Sequence, residues 1–519
     1  MNSAPRSLLV AVLALAALTG LAGLRPGEAG EVAAPDQGPP RPVERVTLTC
    51  PRPTGSDTAT TWYTAYTPPG EGSGEDGDGE EPSAFLLPAP EYVPGTETPP
   101  AGGEDAEENA PEQEEQEGAA EPFLALGEPG APATARVGDA DAPALAGTAH
   151  GALAPGWTVQ QSTSVPSGPG RGLLGTSCQA PDTQFWFAGA STADSRADYV
   201  HLTNPDEEAT VVDIDLYGAE GRLTADAGQG ITVPGGASVP VRLSTLGAGT
   251  HDDLAVRVTA RTGRIGAQVE AVDEALGADW LPPAAAPAGT AVLPGIPAEA
   301  RSVRLVVFVP GEEDATLDVG LASPSGTLTP AGFETVSVRA GSLTSVDLRN
   351  VTQGEAGSLI LTPSDESRAV PLAAAALVTI GDGEEAAREL AFIPATPAVE
   401  RRATVTGNTA SGTTLSLTAP GEAAEVDVTL SAGTDGGEPV TESYTVPAGS
   451  TLAVTPEPPE GTSGFYSLTV ETRGGTVHAA RTLTSGEGGD TSLTIQTLPD
   501  DRSAVSVPET EQDLSVLTR

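Results

Sequence analysis

Two aspartates on one predicted strand are the residues of this chain whose spacing could support catalysis. Asp213 and Asp215 alternate with apolar residues, so that in a strand both carboxylates lie on one face. A general acid and a general base need such proximity. An outward-facing polar strand face has the same pattern, and we adopt this second interpretation.

Histidine, a frequent general base and zinc ligand, occurs at positions that are far apart in the sequence, and none has a partner at ligand spacing. The four are His150, His201, His251 and His478. The chain has neither a Gly-x-Ser-x-Gly nucleophile elbow nor a phosphate loop. The sequence therefore predicts no catalytic residue, no metal site and no cofactor, and we expect a protein that is not an enzyme.

The cysteine pair, Cys50 and Cys178, completes the set of candidate residues. An even number of cysteines in an exported chain favours a disulfide. A bridge that closes so long a loop stabilises the fold by roughly 4–5 kcal/mol in the chain-entropy model. A redox or metal pair is the alternative, but no histidine neighbours either thiol. We therefore predict a disulfide between these two residues.

The elements that position these residues are three copies of one strand-and-turn phrase. In each copy a strand ends at a proline, a second strand follows, and a turn with glycine comes about 30 residues later. The prolines, Pro205, Pro310 and Pro420, are 105 and 110 residues apart. This period suits one antiparallel β-sandwich per repeat.

Acidic, glycine and proline residues dominate the segment 71–122, and no basic residue occurs between Arg52 and Arg136. A segment of this composition cannot bury enough apolar surface to offset the entropy that ordering costs. We predict a disordered acidic insert that is looped out of an N-terminal β-region. The disulfide would join the first strand of that region to its last strand.

The N-terminus has the pattern of an export signal. Arg6 precedes an apolar run, Leu8–Leu24, and a small-x-small cleavage pattern lies before Gly30. The run is short for a spanning helix but near the lower limit, so a cleaved signal peptide and an uncleaved membrane anchor both stay open. In either case we expect the rest of the chain to be extracytoplasmic, either secreted or anchored to the cell membrane by residues 8–24.

The fold class that these patterns predict is all-β, with tandem immunoglobulin-like β-sandwich repeats after an N-terminal signal or anchor segment and a disordered acidic insert. The predicted domains are 1–29 (signal peptide or anchor), 43–182 (N-terminal β-region with insert 71–122), 183–287, 288–398 and 399–500 (repeats 1 to 3) and 501–519 (C-terminal tail).

The charge of the chain limits its partners. The formal net charge is -47, from 72 acidic and 25 basic residues, and none of the basic residues is lysine. So strong a negative charge repels nucleic acid and anionic lipid. We therefore expect no nucleic-acid partner, and contact with a membrane only through the N-terminal segment.

Several phrases of the chain are distinctive, and they carry a family resemblance. They are Ala144–Gln161, Gly172–Cys178, Phe187–Thr192, Tyr199–Pro205 and Gln496–Arg502. In these phrases the chain resembles an uncharacterised secreted-protein family, a domain of unknown function, of high-GC Gram-positive bacteria. The resemblance implies export and a β-rich fold, it points to the cell surface, and it transfers no catalytic residue.

These observations favour an exported, non-catalytic multi-domain β-sandwich protein that acts as a cell-envelope binding or spacer module. Its partner would be an unknown cell-envelope protein or polysaccharide, bound for example on an edge strand. The alternative is an envelope-glycan-acting enzyme with a carboxylate-based site between domains. A cleft with two facing buried carboxylates would favour the enzyme.

Overall fold

The computed structural model describes residues 37–70, 82–93, 121–381, 388–458, 460–486 and 491–508. Within these ranges the regular elements are β-strands and four single-turn 3₁₀ helices, Gly151–Leu153, Asp226–Gly228, Leu243–Leu246 and Glu366–Arg368. The all-β class with repeated β-sandwiches is therefore confirmed. None of the described helices is long and apolar enough to cross a membrane. The predicted signal or anchor segment lies outside the described residues.

The first strand, β1 (Gln37–Pro42), pairs with the last strand, β36 (Ala504–Pro508), in a two-stranded sheet. This pair belongs to a small unit of its own, and residues 42–503 form a second compact unit. The second unit contains four β-sandwiches.

The first sandwich contains β2 (Arg45–Cys50), β3 (Thr60–Tyr66), β4 (Ser83–Ala89), β5 (Leu124–Leu126), β6 (Ala133–Gly138), β7 (Ala144–His150), β8 (Thr158–Val165) and β9 (Gly172–Ser177). The second contains β10 (Gln184–Ala190), β11 (Tyr199–Thr203), β12 (Thr210–Gly218), β13 (Gly221–Arg222), β14 (Ile231–Val233), β15 (Ser238–Arg242), β16 (Leu254–Ala260), β17 (Gly266–Asp273) and β18 (Gly277–Leu281).

The third sandwich contains β19 (Ala291–Ile296), β20 (Ser302–Phe308), β21 (Ala315–Ser323), β22 (Gly326–Leu328), β23 (Thr335–Val338), β24 (Leu343–Asp347), β25 (Gly357–Pro363), β26 (Ala373–Ile380) and β27 (Glu389–Pro394). The fourth contains β28 (Arg402–Asn408), β29 (Thr413–Ala419), β30 (Ala424–Leu430), β31 (Val440–Val446), β32 (Ser450–Val454), β33 (Tyr466–Gly474), β34 (His478–Ser485) and β35 (Ser492–Leu498).

All four sandwiches share one strand order. The two sheets of the second sandwich have the orders β10-β16-β12-β13, with β14 also paired to β12, and β15-β11-β17-β18. The equivalent strands of the other three sandwiches are arranged in the same way, and all these pairings are antiparallel. The described part of the chain thus contains four copies of one unit, of which the sequence repeat revealed the last three.

The N-terminal β-region is the first copy, and the structure corrects the prediction that residues 71–122 form a single disordered insert. Residues 83–89 are strand β4, which pairs with β7 and β5 inside the first sandwich. Leu86 on this strand is fully buried. The prediction missed this strand because it relied on the acidic composition averaged over the whole segment. A strand needs an apolar run of only about five or six residues. The flanking parts, 71–81 and 94–120, lie outside the described residues.

The four sandwiches pack against one another in a closed cycle. The last strands of consecutive sandwiches are in contact, and the fourth contacts the first: β9 with β18, β18 with β27, β27 with β35, and β35 with β9. The first strand of each sandwich also packs on the next-to-last strand of the following one: β2 on β17, β10 on β26, β19 on β34, and β28 on β8. We call the meeting of the four last strands, β9, β18, β27 and β35, the hub.

A glycine at a bulge in the first strand lets one sandwich approach the next. Gly189, Gly295 and Gly407 occupy equivalent places on β10, β19 and β28, and all have positive φ. Each lies where the pairing register of its strand shifts. A Cβ on Gly295 would lie only 2.7 Å from the Cβ of Ala480 in the fourth sandwich. Glycine is thus required here both by the backbone conformation and by the close contact.

We predict that Gly295→Ala destabilises the protein by about 1–3 kcal/mol, since it adds a methyl group to a close-packed contact as well as backbone strain. Gly247→Ala is the matched control, because Gly247 has the same φ of 86° but no atom near its Cβ position. Thermal unfolding of both variants measures the difference. Equal losses would show that the contact between the third and fourth sandwiches tolerates the methyl group.

The role of β4 leads to a second prediction. Leu86→Ala should destabilise the first sandwich by about 2–5 kcal/mol, because it leaves a cavity in a close-packed core. Leu87→Ala, on the other face of the same strand and only half-buried, should cost clearly less. Urea unfolding followed by tryptophan fluorescence compares the two. A similarly small loss for both would contradict the place of β4 in the core.

Candidate functional site

The two cysteines are joined in the structure. Cys50 ends β2 and Cys178 directly follows β9, with a disulfide between them and 4.4 Å between their Cα atoms. The bridge links the first and last strands of the first sandwich, which belong to different sheets. It therefore fixes the two sheets to each other beside the hub.

Asp213 and Asp215 lie on one face of β12, as their spacing predicts, and both are paired with arginine. Asp215 accepts hydrogen bonds from Arg257 and Arg222, with nitrogen–oxygen distances of 2.5 Å to each. Asp213 accepts two from Arg261, at 2.7 Å.

These contacts determine the charge state of both aspartates. Burial opposes the ionisation of Asp215, but the hydrogen bonds from Arg257 and Arg222 outweigh it, and the pKa of Asp215 is lowered. The hydrogen bonds from Arg261 lower the pKa of Asp213 in the same way. A carboxylate that stays ionised cannot act as the general acid near neutral pH, so this face has the features of a structural ion-pair network.

Two of the histidines lie against backbone carbonyl oxygens. His251 lies against the carbonyl oxygen of Ala248 at 3.0 Å, and His478 against that of Thr396 at 2.9 Å. Burial lowers the pKa of His478. In the described part of the chain, no group of three or more His, Cys, Asp or Glu residues is placed to hold a metal ion.

His201, in contrast, lies against a carboxylate. Its Nε2 is 3.1 Å from Oε2 of Glu270, and both side chains are about nine-tenths buried. The ring of Trp280 meets the His201 ring edge-on, with 5.2 Å between centroids. This packing fixes the imidazole between an aromatic ring and a hydrogen-bond partner.

His201 and Glu270 line a pocket of about 590 Å³ between the first and second sandwiches, which we call the junction pocket. One wall of the pocket is the outer face of the sheet that contains β11 and β17. Tyr199 lies directly opposite Glu270 in the register of these strands, and its ring lies 6.0 Å from the guanidinium of Arg242. One wall thus presents an aromatic ring beside a carboxylate and an imidazole.

The rim of the junction pocket comes from the first sandwich. Arg52 forms an ion pair with Glu91 and donates a second hydrogen bond to the carbonyl oxygen of Ala140 at 3.1 Å. Glu91 follows β4, and the next residue, Tyr92, donates its backbone N–H to Ser238 of the second sandwich at 2.8 Å. The rim is therefore held against the sheet that forms this wall.

Sequence reasoning placed His201 correctly in a strand but missed the pocket. Glu270 is distant in sequence, and only the pairing of β11 with β17 brings it to His201. Glu91 lies within the segment 71–122 that was predicted to be disordered, and Arg52 precedes that segment. The available signal was the alternation of Tyr199 and His201, which places both on one face of a strand.

A second set of buried carboxylates lies in the hub. Asp279 on β18 has no solvent-exposed surface. It accepts hydrogen bonds from the backbone N–H of Gly175 at 3.1 Å and from Oγ1 of Thr494 at 3.0 Å. Burial raises the pKa of Asp279 well above its usual range. Burial also raises the pKa of Glu389, on β27, to about 7.

These two acids do not form the open cleft that an enzyme on envelope glycan would need. Asp279 is enclosed by strands of three sandwiches, and Glu389 is only 4% exposed. Their contacts hold strands together. The junction pocket also brings polar and aromatic side chains together, among them His201 and Glu270, which are each 8% exposed.

The comparisons with known proteins give a family without an assigned activity. Residues 133–457 match the Family of unknown function (DUF5719). The match begins in β6 of the first sandwich and includes the second and third sandwiches whole. No curated protein and no solved structure matches the chain.

The ion pairs on β12 lead to a pH-dependent prediction. Asp215→Asn should reduce stability by about 0.5–1 kcal/mol at pH 7, because water still reaches the partner arginines Arg222 and Arg257 and weakens both pairs. Because the folded-state pKa of Asp215 lies below its unfolded value of 3.8, the wild-type advantage is present above about pH 4 and is lost as the pH falls through the folded pKa. Urea unfolding at pH 7 and pH 3, with the exposed Asp57→Asn as control, tests this. A loss that is the same at both pH values would contradict it.

Proposed function

Since the chain belongs to the Family of unknown function (DUF5719), we propose its function from its own residues. The protein is an exported, non-catalytic binding protein of the cell envelope, and its junction pocket holds a neutral sugar unit of an envelope polysaccharide. The observation that carries this proposal is the convergence of Tyr199, His201 and Glu270 on one pocket wall.

The chemistry of that wall suits a sugar. Sugar rings present C–H groups on one face, which pack on aromatic rings, and hydroxyl groups at the edge, which both donate and accept hydrogen bonds. Tyr199 offers the aromatic ring, Glu270 accepts, and Arg52 at the rim donates. A volume of about 590 Å³ has room for one or two sugar units.

The charges favour a neutral ligand. Within the junction pocket Arg52 is paired with Glu91, and His201 lies against Glu270. The chain as a whole has a net charge of -47, so an anionic polymer would be repelled on approach. A ligand with hydroxyl groups and no charge avoids this cost.

The closed cycle supports a binding role over a spacer role. A spacer gains reach when its domains follow one another end to end. Here the last strand of the fourth sandwich contacts the last strand of the first. The closed arrangement is therefore shorter than an end-to-end chain of domains, but it has more fixed contacts between them. Fixed contacts preorganise a pocket that lies between two sandwiches, and preorganisation lowers the entropic cost of binding.

Export is supported by chemistry as well as by the N-terminal pattern. The Cys50–Cys178 disulfide persists in oxidising compartments and is rare in the cytosol. A non-catalytic role is supported by the structural contacts of the candidate acids: arginines hold Asp213 and Asp215, and the hub encloses Asp279.

We predict that Tyr199→Ala and Glu270→Gln each weaken the binding of neutral envelope polysaccharide by about tenfold or more, the equivalent of about 1.4 kcal/mol. The control is Tyr444→Ala, because Tyr444 is equally half-buried but lies in the fourth sandwich. Calorimetric titration with a cell-wall polysaccharide fraction from which acidic polymers have been removed measures the affinities.

Two results would contradict the proposal. Equal affinities for wild type and both pocket variants would exclude the junction pocket as the binding site. Release of new reducing ends from the polysaccharide by wild type, lost in Glu270→Gln, would show that the protein is a glycan-cleaving enzyme.

A further inference from the structure

Three junctions of the cycle are supported by the chain itself, and one is not. The first sandwich leads directly into the second, the second into the third, and the third into the fourth. The contacts of β35 with β9 and of β28 with β8 close the cycle between sandwiches that are not consecutive in sequence. No peptide segment links the two sandwiches directly at this closing junction, so non-covalent contacts hold it.

Asp279 of the second sandwich spans the closing junction. Its carboxylate accepts a hydrogen bond from Gly175 on β9 and another from Thr494 on β35. These residues belong to the first and fourth sandwiches. One buried side chain thus binds both sides of the junction at the same time.

Glu389 of the third sandwich also contacts both the first and the fourth sandwich. A Cβ on Gly172 of β9 would lie 3.0 Å from Oε2 of Glu389, so this carboxyl lies directly beside the glycine. On the other side, Ser492 of β35 forms a hydrogen bond with it. The carboxyl therefore fills the space where β9, β27 and β35 converge.

The groups that face Glu389 leave it without a full counter-charge. From the first sandwich, Arg171 attracts it, but the Arg171 guanidinium also donates to the carbonyl oxygens of Ala275 and Arg388, at 2.8 and 3.0 Å. From the second sandwich, Asp279 contributes a second buried acid and no counter-charge. From the fourth, Ser492 contributes a neutral hydroxyl. Among the described residues, the guanidinium that attracts the Glu389 carboxyl is thus that of Arg171, which has other partners.

We propose that the hub is a proton-operated latch: neutral Glu389 keeps the closing junction shut, and ionised Glu389 beside Asp279 loosens the contacts of β9 with β35. The step moves one proton between the Glu389 carboxyl and solvent and breaks no covalent bond. An exported protein meets the pH of its surroundings directly, so such a latch would respond to acidification outside the cell.

The sign of the effect follows from burial. Burial raises the pKa of Glu389 from its usual 4.5 to about 7. A group whose folded pKa is raised contributes stability that is fully present below pH 4.5 and is lost as the pH rises through about 7. Acid therefore closes the latch, and mildly alkaline pH opens it.

Hydrogen exchange of the full exported chain tests the proposal, after correction for the intrinsic pH dependence of exchange. In wild type, β9 and β35 should exchange at least tenfold faster at pH 8.5 than at pH 5.5, relative to the core strand β30. Glu389→Gln, which keeps the carboxyl neutral, should remove most of this increase. The control Glu425→Gln replaces an exposed glutamate of the fourth sandwich and should behave as wild type.

Three results would contradict the latch proposal. If corrected exchange of β9 and β35 in wild type does not change with pH, the latch is excluded, and this needs no variant. If it changes equally in wild type and Glu389→Gln, another group is responsible and the proposal is wrong. If Glu389→Gln does not fold at pH 5.5, where wild-type Glu389 is neutral as well, the proposal is also wrong, because a neutral side chain at this place is its premise.

Discussion

The close approach of four last strands in the hub is the constraint on which the rest of the structure depends. β9, β18, β27 and β35 contact one another in sequence around the cycle, so each sandwich exposes the same edge strand to two neighbours. Small and polar residues make this approach feasible. Gly175 lies directly beside Thr494, where a Cβ would be 2.5 Å from the threonine methyl group, and Asp279 supplies acceptors for the donors around it.

The junctions around the hub share one geometry but differ in chemistry. Between the second and third sandwiches the contact is aromatic, with Trp186 and Phe308 at 5.3 Å between ring centroids. Between the third and fourth it includes hydroxyl groups, such as Ser358 and Thr418 at 2.7 Å. The closing junction has the ion pair of Arg402 with Asp501, and Arg402 also donates to the first sandwich at Pro155. The polar closing junction is the more suitable one for a reversible contact, because its groups can be solvated when it opens.

The junction pocket and the hub both lie on one sheet of the second sandwich. Tyr199 and Glu270 face the pocket on β11 and β17, while Asp279 lies in the hub on β18, the neighbouring strand. Loosening of the closing junction would relax the first sandwich, which supplies the pocket rim through Arg52 and Glu91. The two proposals, of a sugar-binding pocket and of a latch, therefore together imply that ligand affinity and hub protonation are coupled by linkage in both directions.

The sequence by itself determined the all-β class, three of the four sandwiches, the place of Asp213 and Asp215 on one strand face, and the cysteine pair. These are local properties: alternation, turn residues and a repeat period are readable along the chain. The tertiary structure alone decided that β4 belongs to a first sandwich, that the cycle closes, and that His201 meets Glu270 over a pocket. The physical reason is that each of these depends on strand pairing or packing between residues far apart in sequence, whose register no local pattern specifies.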